Sequence, residues 1–178
     1  MKNLLLTIPA ALAAFTAPAY ANEVGSKYFE VGYAQISYKE SQVPTYSIPT
    51  VKGAFGVVVT DGLAVEGFIA TGVSDQTKTY QNVPVKLSLD SAYGIYARPF
   101  VKIGESAEIF GRAGFAKAKF TGSSGNVSIT EEGDDFSYGV GAAFNVSKNI
   151  QIGVDYMMYY SKSDVDVTGF GVGIKIGF

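Results

Sequence analysis

The sequence predicts an all-β protein, an eight-stranded antiparallel up-and-down β-barrel that spans a membrane. Glycine, tyrosine and phenylalanine are abundant, at 21, 12 and 12 of 178 residues. Beyond the first 21 residues, apolar side chains recur at every second position and never with the 3.6-residue period of a helix. The connections between the alternating segments are long and short in turn, which is typical of outer-membrane barrels.

The first 21 residues have the features of a secretory signal peptide. Lys2 gives a short charged start, residues 4–17 are largely apolar, and Ala19 and Ala21 form a cleavage site of small residues. The apolar stretch is too short for a membrane-spanning helix, which needs about 20 such residues. We therefore expect cleavage after Ala21 and a single barrel domain, residues 22–178.

Eight segments alternate with a period of two, and most have the 9–11 residues that a tilted strand needs to cross a bilayer. They are residues 28–37, 51–60, 63–71, 85–100, 107–120, 136–145, 150–160 and 166–178. We expect the long polar connections, residues 38–50, 72–84 and 121–135, to be extracellular loops and the tight ones to be periplasmic. The tight connection "TDGL" is typical of a type I′ turn.

Each segment has one apolar face, and the interiors of these faces carry no charge. The opposite faces combine glycine and alanine with nine charged residues: Glu30, Lys52, Glu66, Asp90, Arg98, Glu108, Arg112, Asp155 and Lys175. Two barrels fit this pattern. A soluble periplasmic ligand-binding barrel would turn the apolar faces inward, whereas a membrane barrel would turn the charged faces inward.

The glycines of the last segment favour the membrane barrel. In "TGFGVGIKIGF", four glycines share a face with Lys175. On the outside of a soluble barrel these glycines would weaken the strand and pack against nothing. Inside the narrow lumen of an eight-stranded barrel they leave space for long charged side chains. We therefore predict that the nine charged residues form a lumenal network.

This network has two interpretations. Buried ionisable groups must be paired, so opposite charges are expected to plug the lumen. The alternative is a gate whose pairs exchange partners and pass ions or very small solutes. Because the lumen of an eight-stranded barrel is about filled by its own side chains, the plug is the leading interpretation and the narrow channel the alternative.

The composition argues against catalysis. The chain has no histidine and no cysteine, which excludes Ser-His-Asp and Cys-His mechanisms. The lumenal acids are interleaved with arginine and lysine, which disfavours the protonated carboxyl that a general acid requires. We therefore expect no enzyme activity and no cofactor. We also expect no metal site, because "EEGDD" at residues 131–135 lacks the ligand spacing of a calcium loop. A net charge of −2 gives no indication of nucleic-acid binding.

Four stretches resemble the small outer-membrane β-barrel family that includes opacity-type surface proteins and the membrane domain of outer membrane protein A. They are "GIYARPF" (94–100), "FGRAGFAKAKF" (110–120), residues 136–159 and the terminal "GVGIKIGF" (171–178). The resemblance implies a non-catalytic protein of the Gram-negative outer membrane with a structural, interaction or adhesin-like role. It also implies that Phe178 is a signal for the insertion machinery. The alternative for Phe178 is a residue of the interfacial aromatic girdle.

Several partners are expected. Residues 38–50, 72–84 and 121–135 are candidates for contact with an extracellular or host protein, and the barrel itself contacts outer-membrane lipid as a monomer. Lys117 and Lys119 lie at the outer end of their strand, where they are candidates for contact with lipopolysaccharide phosphates. Ordinary snorkelling of lysine to the interface is the alternative.

Overall fold

The computed structural model describes residues 23–80, 83–162 and 164–178. The predicted signal peptide, residues 1–21, lies outside these residues, and its cleavage stays a prediction. No helix in the described part of the chain is long and apolar enough to cross a membrane.

In the described residues, nine antiparallel strands form one sheet. They are β1 (Lys27–Glu40), β2 (Tyr46–Thr60), β3 (Leu63–Gly72), β4 (Gln76–Tyr80), β5 (Val83–Ile103), β6 (Ala107–Ser124), β7 (Val127–Asn145), β8 (Ile150–Lys162) and β9 (Val165–Gly177). Strand β1 pairs with both β2 and β9, and β3 pairs with both β2 and β5. The order β1-β2-β3-β5-β6-β7-β8-β9 therefore closes on itself, which confirms the predicted eight-stranded barrel.

The ninth strand, β4, reflects a difference from the prediction. The segments predicted as loops, residues 38–50, 72–84 and 121–135, are mostly β-structure. Strand β4 pairs with the outer part of β5, and β6 continues into β7 through a two-residue turn at 125–126. Residues 72–84 and 121–135 are largely polar and lack the apolar alternation that identifies the membrane strands. In residues 38–50, Tyr46 and Ile48 do alternate, but both are buried on the inner side of the wall rather than on its outer side. The barrel wall thus extends beyond the membrane as hairpins.

The orientation of the wall is the predicted one. Along β9, Phe170, Val172, Ile174 and Ile176 point outward and are 44–55% exposed, while Lys175 is buried in the lumen. The glycines make room as expected: a Cβ atom at Gly171 would lie 2.6 Å from a carboxylate oxygen of Asp155. The apolar outer surface is the part of the molecule that contacts lipid.

The tight turn between β2 and β3 differs from the predicted type I′ turn. Gly62 has a φ of +86°, but Asp61 does not have the positive φ that a type I′ turn also requires. The register between the two strands shifts between Val58 and Thr60. A bulge next to a left-handed glycine therefore gives the chain its reversal here.

Candidate functional site: a sealed lumen beneath surface hairpins

Arg112 on β6 lies at the centre of the lumenal charges. Its Nε donates to Glu66 Oε2 at 2.6 Å, its NH1 group to Asp155 Oδ2 at 2.7 Å and its NH2 group to Glu30 Oε2 at 2.7 Å. The three carboxylates come from β3, β8 and β1. One guanidinium thus holds three strands that are distant along the chain, because its fork of donors can serve several carboxylates at once.

A second cluster lies beside it. Glu108 pairs with Arg98 and, through Oε1, with Lys175 Nζ at 3.0 Å. The Nε atom of Arg98 also lies 3.3 Å from Glu66 Oε1, and this ion pair links the two clusters. The guanidinium of Arg98 sits over the Phe110 ring at 4.0 Å from its centroid, where the ring face attracts the cation.

Lys52 completes the network from β2. Lys52 pairs with Asp155, and its Nζ atom lies 3.9 Å from Glu30 Oε1. Within the described part of the chain, the lumen then contains four acids and four bases, all buried: Glu30, Glu66, Glu108 and Asp155 with Lys52, Arg98, Arg112 and Lys175. Buried charge is tolerated here because each side chain is paired with one of opposite sign.

Asp90 is not part of this network, contrary to the sequence prediction. A bulge between Leu89 and Ser91 shifts the register of β5 against β6 and reverses which side chains point inward. Leu89 is consequently buried in the lumen, and Asp90 is exposed, where it accepts a hydrogen bond from Thr121 at 2.7 Å. Strict alternation along one strand cannot reveal a bulge, since the extra residue leaves no distinct sequence signal.

Neutral polar residues also belong to the lumen, although they were not among the predicted lumenal residues. The hydroxyl of Tyr28 donates to Glu66 Oε1 at 2.7 Å, and that of Tyr96 donates to Ser137 Oγ at 3.0 Å. Gln151 Nε2 lies 3.5 Å from Glu108 Oε2. Tyr28, Tyr96 and Gln151 share the alternation phase of the charged residues on their own strands, and Ser137 shares that of Gly139 and Gly141 on β7, so alternation predicts that all four point inward.

The lumen is closed on both sides of the charges. Toward the extracellular side, Phe68 stacks on Tyr159 and meets Tyr96 edge-on, with centroids 5.9 Å apart in both pairs. Toward the periplasm, Phe100 and Phe110 are buried. A cavity lined in part by the charged residues has a volume of about 10 Å³, about the space of a single water molecule. Passage of solute would require this packing to open.

At the extracellular end of the wall, Lys117 and Lys119 point outward and share one carboxylate. On β7, Glu132 Oε2 lies 2.7 Å from Lys117 Nζ, and Glu132 Oε1 lies 3.6 Å from Lys119 Nζ. The hydrogen bond and the charge of Lys117 lower the pKa of the Glu132 carboxyl. The pair of lysines retains an excess of one positive charge over this partner.

The described residues offer no group of three or more acids, histidines or cysteines placed to hold a metal ion. Together, the inside-out wall, the paired lumenal charges and the projecting hairpins define a small integral outer-membrane β-barrel protein. Residues 7–178 match the family described as "Outer membrane protein beta-barrel domain", and the chain belongs to this family. It is a protein of the Gram-negative outer membrane.

Solved structures show the same fold. The attachment invasion locus protein Ail of Yersinia pestis shares 22% identity with a TM-score of 0.68, covering 88% of this chain and 100% of Ail. Neisserial surface protein A shares 14% identity with a TM-score of 0.65, covering 85% of this chain and 97% of that protein. The outer membrane protein OprG of Pseudomonas aeruginosa shares 12% identity with a TM-score of 0.63, covering 90% of this chain and 99% of OprG. No curated protein sequence gives a significant match.

Proposed function

We propose that the protein is a non-conducting, non-catalytic membrane anchor that presents rigid β-hairpins for interaction at the cell surface. The sealed lumen carries this proposal. Among the described residues, four buried acids and four buried bases neutralise one another, and the cavity that several of them line has a volume of only about 10 Å³. The hairpins, in contrast, extend well beyond the apolar band as continuous β-ladders and are free to meet other molecules.

Planar-bilayer recording tests the closed lumen against the alternative of a narrow channel. The wild-type barrel should give no stable conductance steps, and Arg112→Ala should also be silent if the remaining packing still closes the lumen. Stable, stepwise wild-type channels would contradict the proposal. Circular dichroism of the same samples would establish that the silent protein is folded.

The interaction role needs a separate test on whole cells. Replacing residues 121–130 by a two-residue turn shortens the β6–β7 hairpin but retains the membrane part of both strands. Cells with this variant should lose binding to an extracellular or host ligand that wild-type cells bind. A second variant, with the β1–β2 hairpin shortened in the same way, would show which of the two hairpins contributes to binding. Ail has been solved in complex with the heparin analogue sucrose octasulfate. Because Glu131, Asp134 and Asp135 make the present β6–β7 hairpin acidic, we expect it to prefer partners other than polyanions.

We also propose that Lys117 and Lys119 contact lipopolysaccharide phosphates. Both are partly exposed, point outward and together outnumber the Glu132 carboxylate that they share. Lys117 also borders an apolar depression on the outer wall, lined by Tyr93 and Phe115. Changing both lysines to glutamate should reduce the lipopolysaccharide that co-purifies with the barrel, whereas the same change at Lys78 and Lys86 should not. Unchanged retention in the first variant would favour simple snorkelling.

Phe178 remains a proposed insertion signal. Its ring lies 6.4 Å from that of Phe55 between centroids, which suits the alternative role in the aromatic girdle equally well. Phe178→Ala should reduce assembly in cells while leaving refolding into phospholipid vesicles intact. A girdle residue would instead weaken the protein in both settings.

A further inference from the structure

The extracellular half of the lumen contains an apolar cavity of about 330 Å³ above the aromatic layer. Side chains of β1, β5, β6 and β9 form most of its wall: Ile36, Leu87, Leu89, Phe120, Val165 and Val167. Small-molecule sites typically have volumes of about 300–1,000 Å³ and mostly apolar walls, and the mouths of β-barrels are among the places where they occur. This cavity therefore has the size and chemistry of a ligand site.

Two features of the chain create the cavity. Ala92, Ala116 and Ala118 point inward where larger residues would fill the lumen, and all three line the cavity. The bulge in β5 turns Leu87 and Leu89 toward the same space. Apolar walls of this kind gain free energy when a ligand displaces water from them, at roughly 25 cal/mol per Å².

The rim of the cavity supplies a carboxylate surrounded by aromatic rings. Glu131 lies opposite Phe120 in the β6–β7 ladder and borders the cavity together with Tyr38 and Tyr160. The rings of Tyr38 and Phe120 are 5.7 Å apart between centroids. Among the described residues Glu131 makes no ion pair, in contrast to Glu132 next to it. A carboxylate beside several aromatic faces is suited to an ammonium group.

The neighbouring charges favour the same sign of ligand. Lys162, which lies near the Tyr160 ring, is held by Asp135, with Nζ and Oδ1 2.9 Å apart. Its charge is therefore compensated. Glu131 adds uncompensated negative charge at this part of the rim, as does Glu40, which accepts a hydrogen bond from the Tyr38 hydroxyl at 2.9 Å. We propose that the cavity binds a single-chain alkylammonium molecule, with the chain against the alanines and leucines and the ammonium at Glu131.

Decyltrimethylammonium, used below its micellar concentration, is a suitable probe for protein in phospholipid nanodiscs with labelled alanine methyl groups. The methyl resonances of Ala92, Ala116 and Ala118 should shift and reach saturation. Those of Ala97 and Ala142, which face lipid, should not. Equal shifts in both sets would mean that the probe only partitions into the bilayer, and this result would overturn the proposal.

Two variants separate the two parts of the site. Glu131→Gln should weaken decyltrimethylammonium binding about threefold to tenfold, as expected for an exposed cation site, and leave decanol binding unchanged. Ala118→Phe should abolish binding of both probes by filling the cavity, whereas Ala142→Phe on the lipid face should not. Decyl sulfate that bound as tightly as the ammonium probe would overturn the assignment of the head group. Glu131 is exposed, so its variant is expected to fold even if Ala118→Phe does not.

Discussion

Arg112 and Glu66 are hydrogen-bonded across the barrel lumen, with 2.6 Å between Nε and Oε2, although their strands β6 and β3 are separated by β5. The contact joins residues that are 46 positions apart in sequence. Side chains of non-neighbouring strands can meet in this way only because the barrel is narrow. The lumenal charges therefore stabilise the cross-section of the barrel in addition to the backbone ladder.

Removing the central cation should destabilise the protein strongly. Arg112→Gln leaves Glu30, Glu66 and Asp155 without their shared donor, and breaking a buried ion pair from one side typically costs about 3–5 kcal/mol. Urea unfolding in phospholipid vesicles would measure the free energy of unfolding. Lys117→Gln, which removes an exposed cation from the same strand, should cost far less, because ion pairs between exposed side chains contribute little to stability. Equal losses in the two variants would contradict the role assigned to the network.

A methyl group at Gly171 should also be destabilising. Its Cβ would lie 2.6 Å from Asp155 Oδ1 and 2.7 Å from Lys52 Nζ, so the ion pair between these residues would have to shift. We expect Gly171→Ala to lose about 1–3 kcal/mol, the range for overpacking. The matched control is Gly67→Ala, because a Cβ there meets no atom within 4 Å. A larger loss at Gly67 than at Gly171 would show that strand propensity, rather than space, decides the outcome.

The outer wall should reject charge. Ile174 is 49% exposed at the middle of the apolar row of β9, so Ile174→Arg would place a cation in the hydrocarbon region. The expected loss is about 2–4 kcal/mol near the bilayer midplane. Val127→Arg, at the tip of the β6–β7 hairpin, should change the free energy of unfolding by about 0.5 kcal/mol or less. If both substitutions were harmless, the assignment of this face to lipid would be wrong.

The extracellular ion pair should be visible in a pH titration. Lys117 lowers the pKa of Glu132 below its ordinary value of 4.5, so Lys117→Met should raise the midpoint of the Glu132 carboxyl resonance in an NMR titration. Lys86→Met, which removes the partner of Asp75 elsewhere on the surface, should leave that midpoint in place. Since the folded-state pKa is lowered, the pair supports the hairpin above the unfolded-state pKa and is lost as pH falls through the folded-state value. A wild-type midpoint at or above 4.5 would contradict this.

The sequence revealed the membrane barrel because its chemistry repeats at every second residue. The sequence alone predicted that Phe170, Val172 and Ile174 point outward and that Lys175 points inward, because successive side chains of a pleated strand point to opposite faces. The outward orientation of Asp90 could not be predicted, because a bulge changes the alternation phase of the strand without changing its composition. The extracellular strands were missed because their outward faces are largely polar, and their apolar residues, such as Tyr46 and Ile48, lie on the inner side of the wall.

The lumenal partners were predictable as a set but not as pairs. Alternation places Arg98, Arg112 and Glu66 in one lumen, whereas the choice of partner depends on strand tilt and stagger, which a single strand does not reveal. The apolar cavity depends on the same geometry. Strict alternation from the outward Tyr93 and Ile95 would place Leu87 and Leu89 on the lipid side, and only the bulge brings them to the inner side.

The distribution of the buried charges over the wall has a consequence for biogenesis. Seven of the eight barrel strands contribute at least one of them, and Glu30 on β1 is directly opposite Lys175 on β9 in the ladder that joins the first and last barrel strands. A partly assembled sheet would hold ions in hydrocarbon with their counterions still missing. Insertion is therefore expected to be cooperative, with charge neutralisation and seam closure occurring together as the final step.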